Sequence, residues 1–212
     1  MAGGFFAKYF QHVQSQGKEK NVHEPVALDI RKAMLGSGRV EFSLLASWAN
    51  KHEKDAFIRM IPMPFLVGSS VVKGNLFTLT HQEMTKFFEE EKIAARSDQE
   101  EQVMLEWALY PLIKKQDTFG TGIEKLTIGR DSDSDIVIPD YAISKKHAEI
   151  RVVHKDCFIK DRGAKNKIYI NGVLLSSNSE SVLKNGDLLK LGRYKFYLMS
   201  SQALYDIFNA EI

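Results

Sequence analysis

The segment 128-IGRDSDSDIVIPDYAISKKHAEI-150 decides how this chain is read. An apolar strand ends on Gly129-Arg130, an acidic stretch follows, and Ser144 and His147 then stand around two lysines. Asp131, Asp133 and Asp135 match the first three ligand positions of a calcium loop, which also needs Gly at its sixth position and Glu at its twelfth. Ile136 and Ala142 stand there instead, so calcium is excluded and no metal site is expected. An anion site meets no such objection. The Arg130 fork can satisfy two phosphate oxygens at once, and a Ser144 hydroxyl with nearby backbone N–H groups would complete a cradle. The stretch 161-DRGAKNKIYING-172 supplies a third loop that a rigid scaffold could bring to the same end.

Around this segment the text is β. Runs such as EKLTIGR, SDIVIP, HAEIRVV, DCFIKD, KIYING, VLLSS and LLKLGRYKFYLMS are short, apolar and separated by turn residues, the cadence of an all-β sandwich. Asn171-Gly172 and Asn185-Gly186 are strong turn signals, because tight turns need positive φ. SSQALYDIFNAEI at the end reads as a short helix with Leu204, Ile207 and Phe208 facing the sandwich.

The first half is less regular. Residues 1–40 show little periodicity and are expected to be a mobile or partly helical leader. Leu45, Trp48, Ala49, His52 and Ala56 recur at helical spacing, and Asp55 could cap a second turn that Pro62 stops. PFLVGSSVV and NLFTLT read as strands, and THQEMTKFFEEEKIAAR as a helix with a Thr80/Glu83 capping box. Residues 41–101 are thus expected to form a small helical or mixed module. SDQEEQ at 97–102 is its boundary, 102–200 the sandwich and 201–212 the C-terminal helix.

Composition sets limits. With 44% hydrophobic residues the chain can bury a core, and a net charge of +2 argues against bulk binding to nucleic acid or anionic membrane. Its one cysteine cannot form an intrachain disulfide, and no stretch approaches a membrane span, so a cytoplasmic protein without membrane insertion is expected. Neither GSGR at 36–39 nor HEKDA at 52–56 completes a phosphate-loop or zinc-protease pattern. No cofactor is implied, and no nucleophile–base or carboxylate pair with recognisable spacing suggests an enzyme.

The order Gly129-Arg130, Ser144-Lys145-Lys146-His147, Gly163-Ala164-Lys165-Asn166, Asn171-Gly172, Gly186-Asp187 and Leu191-Gly192 resembles the forkhead-associated (FHA) domain. The resemblance covers roughly residues 103–200 and has a bacterial character. It implies a mainly β protein, an FHA-type sandwich of about eleven strands, that reads phosphothreonine peptides. Carried over by position, Arg130 and Ser144 would hold the phosphate and Lys145 would offer its backbone or side chain. Asn166 would fix the peptide main chain. Gly129, His147, Gly163, Asn171 and Gly172 would support the loops. The implied partners are threonine-phosphorylated proteins, a Ser/Thr kinase or its substrate.

The chain also departs from the family. Ala164-Lys165 replaces the usual Ser-Thr, so Lys165 is the candidate to stand in for a missing hydroxyl, and Lys167-Ile168 replaces Gly-Thr. Preference for phosphothreonine over phosphoserine is therefore left open. The alternative is an FHA-fold interaction scaffold with weakened or no dependence on phosphate. Charge favours an anion site: residues 103–199 hold sixteen Lys or Arg against twelve Asp or Glu, and the candidate loops carry Arg130, Lys145, Lys146, Arg162, Lys165 and Lys167. The basic loops lack the interleaved aromatics of a nucleic-acid reader. Of six threonines, Thr118 and Thr121 are the best placed to be phosphorylated, which makes self-association conceivable.

Overall fold

The computed structural model describes residues 29–69, 108–114, 123–154 and 156–209. A 3-10 turn, Ile30–Ala33, precedes helices α1 (Phe42–Lys51) and α2 (Lys54–Met60). Strands β1 (Phe65–Gly68) and β2 (Leu109–Pro111) follow, then β3 (Ile123–Gly129), β4 (Ile136–Val137), β5 (Ala148–Val153) and β6 (Asp156–Asp161). The rest of the described chain is β7 (Ile168–Ile170), β8 (Val173–Leu174), β9 (Glu180–Leu183), β10 (Leu188–Leu191), β11 (Tyr194–Met199) and helix α3 (Ser201–Phe208).

The strands form two sheets, β2-β1-β11-β10-β7-β8 and β4-β3-β5-β6-β9. Pairing is antiparallel except between β3 and β4. Strand β5 shows why this sequence makes a sandwich. Ala148, Ile150 and Val152 are buried in alternation with Glu149, Arg151 and Val153, the period of a strand with one face in a core. Those residues, with Ile128, Ile159, Leu189, Leu191 and Phe196, fill the space between the sheets.

A second core lies on the other face of the six-stranded sheet. Ile30, Leu45, Phe57, Phe65, Val67, Leu109, Leu204 and Phe208 belong to it. Strand β1 is buried on both sides, with Leu66 in the inter-sheet core and Phe65 and Val67 against the helices. That double burial explains its unbroken apolar text. Phe42 meets Phe208 edge-on at 5.2 Å, and Phe57 lies 5.4 Å from Tyr205.

Several expectations change here. Of the module expected at 41–101, the described residues 41–69 pack on the sandwich, and β1 pairs with both β11 and β2 inside its larger sheet. Within the described end of the 1–40 segment, Ile30–Ala33 is a helical turn, Ile30 and Val40 are buried, the Val40 N–H donates to Leu109 O at 2.8 Å, and the Val137 N–H donates to Ser37 O at 3.0 Å. Helix α3 packs on α1 and α2 as well as on β11, and the Ser201 hydroxyl reaches the carbonyls of Ile61 and Met63. LLKLGRYKFYLMS is two strands, since Gly192 turns at φ +56° between β10 and β11. Strand β9 was not anticipated: its outward Glu180 and Val182 hide the alternation. The helix expected at 80–96, the strand NLFTLT, Thr118 and Thr121 lie outside the described residues.

Candidate phosphopeptide-binding loops

Three loops meet at one end of the sandwich, and Ser144 is where they join. The Arg130 N–H donates to Ser144 O at 3.1 Å, which fixes the end of β3 against the β4–β5 loop. The Lys165 N–H donates to Ser144 Oγ at 3.0 Å, which brings in the β6–β7 loop. The hydroxyl proton of Ser144 and the backbone N–H of Lys145 have no acceptor among the described residues. Both are donors left available beside Arg130.

Gly129 makes the approach possible. A Cβ there would stand 1.9 Å from Lys145 O and 2.7 Å from Ser134 Oγ, so only glycine lets the β4–β5 loop lie against the strand end. The Asp135 carboxylate accepts the Thr127 N–H at 2.8 Å and the Thr127 hydroxyl at 2.9 Å, folding the acidic stretch back onto β3.

His147 braces the cluster from beneath. It is 0% exposed, its N–H donates to Ile128 O at 2.8 Å, and its carbonyl accepts the Arg162 N–H at 3.1 Å. Nδ1 accepts the Ser144 N–H at 3.0 Å, so the ring is neutral with its proton on Nε2. Burial pushes its pKa below the usual value, against the opposing pull of the Asp161 charge. Asp161 was not foreseen as part of the site. It is 0% exposed, and its Oδ1 accepts the N–H groups of Gly163 at 2.8 Å and Ala164 at 2.7 Å. The sequence signal was an Asp two residues before a Gly at a strand end, an Asx turn.

Asp140 anchors the other side. Its carboxylate accepts the Ala142 N–H at 2.6 Å, the Tyr194 hydroxyl and the Arg193 guanidinium. Burial raises its pKa, but those three donors outweigh burial and hold the carboxyl below the ordinary range. Tyr141, next in the chain, is 92% exposed, and the Arg130 guanidinium lies 5.1 Å from its ring centre. Asn166 spends its side-chain N–H on Ala142 O at 2.9 Å and leaves its carbonyl oxygen without a partner among the described residues.

The residues read from sequence therefore gather as follows. Arg130, Ser144, Lys145, Lys165 and Asn166 are brought together, over Gly129, His147 and Gly163. Asn171 and Gly172 have φ of +51° and +83° and form the β7–β8 turn. Asn171 also ties to Asp187 and to the Leu188 N–H, so its role is that hairpin and not the loop cluster. Ala164 points into the inter-sheet core, and Lys165 is exposed. Among the described residues, the buried side-chain polar atoms without a partner are Arg130 Nε, His147 Nε2 and Asp161 Oδ2. All three belong to this cluster.

Comparison with known proteins points to one family. The family description "FHA domain" matches residues 126–192. The glycogen accumulation regulator GarA of Mycobacterium tuberculosis is 33% identical over 72 residues, covering 34% of this chain and 43% of that protein. The oxoglutarate dehydrogenase inhibitor of Corynebacterium efficiens is 30% identical over 77 residues, 36% of this chain and 52% of that one. The chain thus spans about half the length of the curated relatives it matches. An FHA domain structure from Chlamydia trachomatis aligns at 27% identity and a TM-score of 0.38, covering 44% of this chain and 85% of the other. Residues 126–192 of this chain match the FHA domain, and the larger sheet of the sandwich they help to form also takes in β1 from the N-terminal half.

Proposed function

We propose that the loop cluster binds phosphothreonine-containing peptides and that the chain is a non-catalytic adaptor acting with Ser/Thr kinases. The observation that carries this reading is Arg130. Its Nε is buried without a partner and it forms no ion pair among the described residues, beside a Ser144 hydroxyl and a Lys145 N–H that also lack acceptors. A buried unsatisfied donor costs about 1–3 kcal/mol, so a ligand supplying oxygens there regains that energy on binding. A phosphate, with several acceptor oxygens and a charge near −2, meets all three donors. Two or three charge-assisted bonds with a few peptide contacts reach the ~8 kcal/mol of a micromolar complex.

Within this reading Asn166 Oδ1 accepts a peptide N–H, and Lys165 adds charge where the family has a hydroxyl. The partner is a threonine-phosphorylated protein, a kinase or its substrate, met in the cytoplasm. The regulator and inhibitor names of the relatives support a role without catalysis. No helix among the described residues is long and apolar enough to cross a membrane.

The test is fluorescence anisotropy of the full chain with phosphothreonine, phosphoserine and unphosphorylated peptide pools. Micromolar binding to the phosphothreonine pool, lost in Arg130→Ala, supports the proposal. Equal binding to unphosphorylated peptides, or indifference to Arg130→Ala, would leave the FHA fold as a phosphate-independent docking scaffold.

A further inference from the structure

The next inference rests on the phosphopeptide reading and concerns the class of peptide. Three hydrogen bonds stitch the β4–β5 loop to the β6–β7 loop: Asn166 Nδ2 to Ala142 O, Lys165 N to Ser144 Oγ, and Arg162 N to His147 O. As one loop advances from 142 to 147 the other recedes from 166 to 162, so the seam is an antiparallel ribbon. Arg130 and Ser144 hold its middle. Tyr141 precedes one end, and Lys146 and Arg162 flank the bond at the other.

Charge is unevenly opposed along this seam. Lys145, Lys146, Arg162, Lys165 and Lys167 are all exposed, and none forms an ion pair among the described residues. Elsewhere cations do find partners: Lys54 with Asp206, Arg151 with Glu180, Arg193 with Asp140, and Lys114 with Asp135. The carboxylates bordering the two loops are already engaged. Asp140 holds Arg193, Tyr194 and the Ala142 N–H, and Asp161 is buried on the N–H groups of Gly163 and Ala164. Asp131 and Asp133, on the β3–β4 loop, leave the five cations in excess. One phosphate, at a charge of about −1.5 to −2, is largely neutralised by Arg130 and one lysine. The surplus focuses a positive potential along the seam.

We propose that the seam takes a peptide bearing a second anionic group close to the phosphothreonine, held by Lys146 and Arg162 at the end where Arg162 N–H meets His147 O. The shared chemistry is a compact negative charge, supplied by a second phosphorylated residue or by Asp and Glu.

Anisotropy of the full chain tests this with four kinds of labelled peptide: a phosphothreonine peptide with neutral flanks, versions with phosphoserine added on either side, versions with Glu in its place, and a single-stranded RNA as competitor. One phosphoserine placement binds about tenfold tighter than the neutral peptide, or about 1.4 kcal/mol, and the gain shrinks in high salt. Glu at that placement keeping most of the gain assigns an acidic run, and its losing most of the gain assigns a second phosphate. The gain disappears in the Lys146→Ala/Arg162→Ala double variant and is kept in Lys167→Ala, at the other end of the seam, while the neutral peptide binds these variants as well as the wild type. No gain at any placement, or a gain that survives in the double variant, overturns the proposal. Displacement of the doubly anionic peptide by RNA at lower concentration than by unlabelled peptide would reassign the cations to nucleic acid. If the neutral peptide binds with Arg130 dependence but gains nothing, only this inference falls; if no phosphopeptide binds, the underlying reading falls with it.

Discussion

The Nδ1 of His147 accepts the backbone N–H of Ser144 at 3.0 Å. That bond sets the loop carrying the Ser144 hydroxyl, and it exists only while the ring is neutral. Protonation would turn Nδ1 into a donor facing a donor. The folded-state pKa is lowered, by burial first and against the Asp161 charge. The unfolded chain therefore binds more protons than the folded one in the window just below the ordinary histidine value of about 6.5. Stability from this group is complete above that value and is lost as pH falls from it toward the lower folded pKa. Urea unfolding between pH 8 and pH 5 should show this loss, and His147→Asn, which keeps an acceptor without titrating, should flatten it.

Gly129 admits no side chain. With Lys145 O at 1.9 Å from the missing Cβ, Gly129→Ala must push the β4–β5 loop away from β3. We expect a cost of about 1–3 kcal/mol, the range for overpacking, together with loss of phosphopeptide binding. Gly172→Ala is a control: its surroundings are open, but φ is +83°, so about 1 kcal/mol is lost and binding is kept. Thermal denaturation with peptide titration separates the two.

Tyr141 positions Arg130 without holding up the fold. Removing a ring that is 92% exposed should leave the melting temperature unchanged. Tyr141→Ala gives up a stacking contact worth about 0.5–1 kcal/mol at an exposed site, and should weaken phosphopeptide binding about two- to fivefold. Tyr141→Phe keeps the ring and should restore affinity.

The missing hydroxyl of the β6–β7 loop cannot be returned at position 164. Ala164 belongs to the inter-sheet core, so Ala164→Ser buries a hydroxyl at a cost of about 1–3 kcal/mol and gains no affinity. Lys165→Thr acts on the exposed position. It should lower affinity for acidic peptides and sharpen the preference for phosphothreonine over phosphoserine, both read by anisotropy.

The sandwich and its loop cluster were legible because their information is local. Alternation in β5, the Asn171-Gly172 turn and the Gly129-Arg130 and Ser144/His147 pairs each state a conformation within a few residues. Strand β1 was visible as FLVG, but its membership of the sandwich was not, since nothing local records pairing with β11 some 130 residues away. Burial of Ile30 and Val40 leaves no sequence signal for the same reason: single buried residues in an irregular segment carry no period. Asp140 and Tyr141 carry no motif of their own and Asp161 only the signal of an Asx turn, so the three-dimensional meeting of the loops reveals what they do.

The central claim is that Arg130 is an unpaired donor waiting for phosphate. Proton–nitrogen correlation NMR of the full chain, recorded on the Arg130 side-chain Nε–H and the Lys145 backbone amide during titration with a phosphothreonine peptide, tests it directly. Both signals should move downfield together and saturate with the peptide, and neither should respond to the unphosphorylated sequence. An Arg130 signal that stays fixed while other residues shift, or shifts equally with both peptides, would contradict the account.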